Sequence, residues 1–223
     1  MKIETPFNRN QGFSLIELIV IIAVAGFLAA SLLSVLHAAK YKHYGRINCV
    51  NNLHEIGTAF QVWAKDHYDK YPMQFAFTND ETLKFVANSN AYILWLTLSN
   101  ELNTPKALYC LDDKRRKTAL SFSKGFNDAN VSYFFNVDAT AAFPQMILDG
   151  DDNLAINDVR VKPGILNLPT TNSLAWSNER HYRVGNLGMA DGSVWQTTST
   201  SLNAAVINAT NNAPVTTCRW VIP

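Results

Sequence analysis

Gly12-Phe13-Ser14-Leu15-Ile16-Glu17 opens a run in which every residue from Phe13 to Leu36 is apolar, Ala, Gly or Ser, with Glu17 the one exception. Those 24 residues, at about 1.5 Å of rise each, make a helix of roughly 36 Å. That is enough to cross a hydrocarbon core of about 30 Å. The flank before it, Met1 to Gly12, is short and polar, with Lys2 and Arg9 against Glu4, so the positive-inside rule keeps it cytoplasmic and sends the bulk of the chain outward. A carboxylate inside such a span costs on the order of 2.5–3.5 kcal/mol at the centre and less toward an end. Glu17 therefore wants a cation. A cut after Gly12 would supply one: the new amino group on Phe13 lies four residues before Glu17, and in an array of such helices one subunit's carboxylate meets a neighbour's amine. Matched pairing of this kind fixes an axial register. The alternative is a Glu that snorkels to the headgroups.

The stretch Gly12-Phe13-Ser14-Leu15-Ile16-Glu17-Leu18-Ile19-Val20 resembles the prepilin processing motif of type IV pilins and of the pseudopilins of type II secretion. The resemblance implies that a membrane-embedded prepilin peptidase, which is also the N-methyltransferase, cuts after Gly12 and methylates Phe13. It further implies that Glu17 guides helix packing among sister subunits on an inner-membrane assembly platform. Many relatives carry a Pro about twenty residues beyond the Glu or nearer; here Ser34 stands at that place and Gly26 is the one helix weakener upstream. A secretory signal peptide is the competing reading, but its apolar region spans about 7–15 residues, and Ala23-Val24-Ala25, the one A-x-A pattern, lies inside the hydrophobic run.

The remainder of the 223-residue chain is long enough for one compact domain with a real core. Its net charge of +1 gives no broad footprint for nucleic acid or anionic lipid. Of three cysteines, Cys49–Cys110 is the first pairing to expect because Cys218 sits near the chain end, with three buried thiols as the alternative. His37 to Tyr44 reads as a polar membrane interface, with Gly45 a flexible joint. Ile47, Val50, Leu53, Ile56, Phe60 and Trp63 then recur at three and four, one face of an amphipathic continuation. No Pro intervenes before Pro72, so a single helix from Phe13 to about Asp66 is predicted.

Asn48-Cys49-Val50-Asn51-Asn52-Leu53 followed by Ile56-Gly57 is similar to a subgroup of pseudopilin-like proteins with large heads. So is His181, nine intervening residues, then Asp191-Gly192. Asp191-Gly192 between apolar runs is a hairpin signal with both turn positions at positive φ, and His181 is expected to close the hairpin's open end or, alternatively, to ligate near the turn.

Between these landmarks, Met73 to Asn90 is loop-like, Ala91 to Leu98 a short buried helix, and Val131 to Val137 a strand. Lys114-Arg115-Arg116-Lys117 is a basic run expected to be solvated. Asp149, Asp151, Asp152 and Asn153 form an acidic loop, a candidate for calcium, although Leu154 and Arg160 depart from the EF-hand pattern and a solvated turn is the commoner explanation. The last segment, rich in Thr, Asn and Ala, is expected to add an edge strand or to pack loosely. No phosphate loop, HExxH or nucleophile motif is present, so no enzyme and no other cofactor is expected.

The fold class that follows is α+β: a leader at 1–12, an apolar helix at 13–36, its amphipathic continuation at 37–71 and an antiparallel-sheet head at 72–223. The implied protein is a single-pass subunit of the bacterial inner membrane, N-terminus cytoplasmic and head extracytoplasmic, that builds a secretion piston or pilus-like filament. A minor tip pilin whose head binds a ligand, surface or DNA is the alternative; an anchored extracytoplasmic enzyme is the third.

Overall fold

The computed structural model describes residues 12–77, 79–169, 173–212 and 218–223, and of residues 34, 35, 37–44 and 80 the backbone alone. The leader at 1–11 and the interface side chains expected from His37 to Tyr44 lie outside the described residues. The elements in chain order are α1 (Leu15–Asp66), α2 (Met73–Ala76), α3 (Asp80–Ala87), α4 (Tyr92–Thr97), α5 (Ser99–Leu102), β1 (Tyr133–Asn136), β2 (Ile147–Asp151), β3 (Leu154–Ile156), β4 (Val159–Arg160), β5 (Gly164–Leu168), β6 (Leu174–Trp176), β7 (Val184–Met189), β8 (Val194–Thr198), α6 (Ser199–Asn211) and β9 (Cys218–Ile222). This is the α+β layout of a long N-terminal helix followed by an antiparallel-sheet domain. The chain divides into two compact units, Met1–His43 and Tyr44–Pro223.

The described part of the first unit is residues 12–14 and the first half of α1. Leu15–Leu33 is long and apolar enough to cross a membrane, and none of it is buried within the chain. Leu15, Phe27 and Leu33 are each more than half exposed, so this surface has no partner among the described residues.

In the second unit α1 is amphipathic. Its buried seam runs Cys49, Leu53, Ile56, Phe60 and Trp63, the alternating four-and-three spacing of one helix face. The seam begins at Cys49 rather than at the expected Ile47, which is 41% exposed. Gly45 is not a joint: it lies inside the continuous helix, where the Asp112 carboxylate fills the place a Cβ would need. From the seam an aromatic chain leads into the sheet, Phe60 edge-on to Trp95 of α4 (6.0 Å) and Trp95 edge-on to Phe135 of β1 (5.9 Å). Such pairs add about 0.5–1.5 kcal/mol each beyond the area they bury. Phe134, the next residue, points to the opposite sheet face and stacks on Trp220 of β9 at 4.1 Å. Both faces of β1 are therefore buried, which suits its run of consecutive aromatics.

The main sheet has six strands in the order β5-β9-β1-β2-β7-β8, and a smaller sheet has the order β4-β3-β6. Each recorded pairing is antiparallel. Four expectations are corrected. The C-terminal segment adds an interior strand, β9 between β5 and β1, and a capped helix, α6, in which the Thr198 and Ser201 side chains exchange bonds with each other's backbone. Met73 to Asn90 holds the short helices α2 and α3 instead of loop.

The Asp191-Gly192 turn is a three-residue loop: Gly192 N donates to Met189 O (2.9 Å) and Gly192 alone takes positive φ, +85°. This is the type I turn closed by a left-handed glycine. The two-residue turn with both positions left-handed stands at Asn157-Asp158, between β3 and β4 (φ 52° and 60°). Finally, the acidic stretch Asp149 to Asn153 is buried on and after β2, not an exposed loop.

β2 approaches its neighbours closely at Gly150, where an added Cβ would lie 2.8 Å from the Phe134 ring and 2.9 Å from Asn186 O. Overpacking a site with a backbone atom as one wall costs about 1–3 kcal/mol, and for a chain of this size each kcal/mol lowers Tm by about 2–4 °C. Gly150→Ala should lower the thermal midpoint of the detergent-solubilised protein by that amount; an unchanged midpoint would contradict the packing.

Candidate functional site

The N-terminal site is built by the start of α1. Glu17 lies in its first turn, and its Oε2 accepts from Ser14 N at 2.9 Å while Ser14 Oγ accepts from Ile16 N at 3.3 Å. Glu17 thus bonds back to the cap N–H as in a Ser-x-x-Glu capping box, while the Ser14 hydroxyl caps the second helical N–H; neither N–H has an intrahelical partner. The arrangement also places the carboxylate at the positive end of the helix dipole. The Glu17 carboxylate thus has a donor within its own chain, a role missed when its charge alone was considered, although Ser14 three residues ahead of it was the signal. Phe13, the residue after the expected cut, is 80% exposed, and no atom outside the chain neighbours lies within 4 Å of a Cβ built on Gly12. Gly12, Phe13 and Glu17 therefore stand together at an open helix start.

The second constellation is buried in the head. Cys49 and Cys110 are joined by a disulfide with Cα atoms 5.6 Å apart, and Cys218 is a buried free thiol. The bond closes 61 residues of sequence separation, which in the chain-entropy treatment stabilises by about 4 kcal/mol. Beside it, His181 places Nε2 at 3.4 Å from Cys110 Sγ and at 3.8 Å from Asp151 Oδ2, and Nδ1 at 3.0 Å from Asp112 Oδ2. His181, Tyr182 and Arg183 all have positive φ (52°, 56° and 63°). Left-handed backbone costs L-residues roughly 1–2 kcal/mol each, so this turn persists because its surroundings hold it.

The segment from His181 to Gly192 docks on α1 at both ends. His181 meets the disulfide anchored at Cys49. At the other end His54 Nδ1 donates to Gly192 O at 3.1 Å, and Gly192 Cα packs against Gly57. Asn52 of α1 donates to Tyr109 O (2.8 Å) and to the Tyr133 hydroxyl (3.0 Å). The residues of the two sequence motifs, far apart in the chain, are thus the contacts that hold helix to sheet; His181 lies at the open end of the β7–β8 hairpin, away from its turn.

A charge network adjoins this point. The Asp152 carboxylate accepts from Arg115 and Arg116 (3.0 Å each) and from Arg180, with Arg160 at 3.5 Å. Arg180 also meets Asp113 at 3.3 Å. Burial alone would lower the Arg180 pKa, but Asp152, Asp151 and Asp113 more than offset it and hold the guanidinium charged. The expected solvated run is corrected in part: Lys114, Arg115 and Lys117 are exposed, Arg116 is half-buried, and the guanidiniums of Arg115 and Arg116 both reach Asp152. Sequence reading missed Asp112, Asp113 and Arg180, which carried no motif.

Asp149, Asp151, Asp152 and Asn153 do not converge as a calcium cage. Asp152 is held by arginines, and Asn153 donates to Arg180 O and Val184 O at 3.3 Å each. Asp151 Oδ2 accepts from Asn186 N and Nδ2 at 2.8 and 2.9 Å. Asp149 has neither oxygen hydrogen-bonded. Burial first, and the adjacent Asp151 second, push its pKa well above the ordinary range. Burial and Asp149 likewise raise Tyr71 to about 12; its hydroxyl donates to Ala190 O at 2.8 Å. The cluster offers no nucleophile beside a base, and what it does physically is clamp distant segments together.

Residues 7–33 match the prokaryotic N-terminal methylation motif. Neither curated proteins nor solved structures yield a match to this chain. An apolar helix of spanning length carrying that motif is the mark of a membrane-anchored protein processed by a prepilin peptidase. With the antiparallel-sheet domain that follows, these features support a type IV pilin-like protein.

The neutral state of Asp149 has a pH signature. A carboxyl whose folded pKa is raised contributes stability that is complete below its unfolded value near 3.9 and is lost as pH rises toward the folded value. Wild-type stability should fall relative to Asp149→Asn above about pH 4, by at most about 1.4 kcal/mol per pH unit. Thermal unfolding of both proteins between acid and mildly alkaline pH reads this directly; parallel profiles would contradict a protonated Asp149.

Proposed function

We propose that this chain is a structural subunit, not an enzyme, of a type II secretion or type IV pilus-like filament. In this reading residues 1–12 are the leader, held on the cytoplasmic side of the bacterial inner membrane by Lys2 and Arg9, and the head is extracytoplasmic. Prepilin peptidase cuts after Gly12 and methylates Phe13. The apolar half of α1 then leaves the bilayer for a bundle of sister helices raised by the inner-membrane platform. Contacts of this heterologous, non-closing kind generate filaments.

The observation that carries the reading is Glu17: an acid at the start of a helix whose apolar surface has no partner among the described residues, bonded to the Ser14 N–H next to the expected cut. The capped form suits the free subunit, in which no neighbouring amine is present to neutralise the acid. Assembly exchanges that internal donor, a neutral N–H with only a partial charge, for the Phe13 ammonium of an adjacent subunit, so that both partners of the bond are ionised.

Two substitutions separate the roles. Glu17→Gln keeps an acceptor for Ser14 N, since Gln serves in the same capping box, but removes the charge; Glu17→Ala removes both. Both should insert and be processed, and both should enter filaments beside wild-type subunits at least about tenfold less often, the equivalent of about 1.4 kcal/mol. Quantitative immunoblotting of sheared filaments measures this, and wild-type incorporation of Glu17→Gln would leave Glu17 a helix cap alone.

A further inference from the structure

Four buried side chains of metal-ligating type converge from four separate segments: Cys49 from α1, Cys110 from the loop that follows Leu108, Asp151 from β2 and His181 from the turn before β7. One ligand atom from each lies within 4.8 Å of all the others. The separations from His181 Nε2, 3.4 Å to Cys110 Sγ and 3.8 Å to Asp151 Oδ2, are near the roughly 3.3–3.8 Å between ligands of a tetrahedral ion with bonds of about 2.0–2.3 Å.

Three further features have no use in a head held only by a disulfide. Asp112 Oδ2 lies 3.0 Å from His181 Nδ1, a carboxylate beside the ring nitrogen remote from the sulfurs, as it is beside ligating histidines, while Nε2 is the nitrogen next to Cys110 Sγ. Asp151 Oδ1 is buried with no hydrogen-bond partner. And His181 is presented by three consecutive left-handed residues, a strained turn of the kind that gathers at functional sites.

We propose that, when the Cys49–Cys110 bond is reduced, these four side chains hold one divalent ion of the zinc class. The head is then cross-linked at this point by a disulfide in one state and by a metal in the other. Two thiols supply the two electrons and two protons and leave as their disulfide, or a phosphine supplies the electrons, water the two protons and the oxygen, and the phosphine leaves as its oxide; in both cases the S–S bond breaks and each sulfur becomes a thiol. Metal binding then forms two metal–sulfur bonds and releases the two thiol protons. Either link ties α1 to the sheet, so a chain whose thiols are not yet oxidised has a way to hold the same fold. The inference stands apart from the filament reading, since it concerns the head alone.

The test uses the full-length protein in detergent, reduced anaerobically with a phosphine and titrated with Co²⁺. The expected result is one equivalent bound, with the visible bands of tetrahedral cobalt and a near-ultraviolet thiolate-to-cobalt band, both bleached by Zn²⁺ and both absent from the oxidised protein. His181→Ala and Asp151→Asn should each weaken binding at least about tenfold, and Asp112→Asn by about 10–100-fold, as loss of an orienting partner does. Wild-type reduced protein that gives no thiolate band overturns the proposal. So does full affinity in both His181→Ala and Asp151→Asn, which would leave an adventitious cysteine pair. If reduction unfolds the chain, circular dichroism should report refolding on adding metal, and failure to refold overturns it equally.

Discussion

The 52 residues of α1 face two media, and this constraint shapes the rest of the chain. Up to Leu33 the helix presents Leu, Ile, Val and Phe on all sides, with no polar break between Glu17 and Ser31. Without water or protein on that surface, the backbone must satisfy itself, which only a continuous helix or closed barrel can do. From Tyr44 onward the same helix has one apolar seam, and the sheet, the aromatic chain and the buried charges are arranged to cover it. The ends of the apolar half are where polar chemistry returns, and at its start that chemistry is Ser14 and Glu17.

Beside the disulfide that joins α1 to the rest of the head lie the ionisable groups Asp112, Asp113, Asp151, Asp152, Arg180 and His181. Burying such charges is costly, and removing one partner from a buried pair typically costs about 3–5 kcal/mol because the other is stranded. The arrangement is tolerated because Asp152 is shared among several guanidiniums and each carboxylate beside Arg180 adds to its charge stabilisation. Asp149, by contrast, has no cation and no hydrogen-bond donor among the described residues, and burial raises its pKa so that a retained proton removes the charge that burial would penalise.

The helix was legible because its signals were local: an unbroken apolar run, then a three-and-four spacing, then no Pro before Pro72. Its end at Asp66 and the short elements at Tyr92–Thr97 and Tyr133–Asn136 followed from the same kind of pattern. The head resisted wherever distant residues override local preference. Asp149 to Asn153 reads as a solvated loop because acids avoid burial; Asp152 is buried against arginines 115, 116 and 180 and Asp151 against Asn186, partners that arrive from elsewhere in the chain. Helix α6 is rich in Ser, Thr, Asn and Ala, residues that favour turns or add little apolar contrast, and its buried face, Leu202, Ala205, Val206 and Ala209, is half alanine, so the helical spacing was faint in the sequence. β9 reads as a terminal edge but is enclosed by β5 and β1. At the N-terminus the methylation motif over residues 7–33 was legible from sequence, whereas the Ser14 cap was not, because a carboxylate in an apolar run signals a need for a cation before it signals a bond to the backbone donors beside it.

The central claim is that the open helix start at Gly12-Phe13 is a processing site, and it is tested most directly by mass spectrometry of the N-terminal peptide of the protein recovered from its native membranes. The account predicts a chain that begins at Phe13 with a methyl group on its amine. A chain that begins at Met1, or after Ala25 as a secretory signal peptide would leave it, would contradict the account.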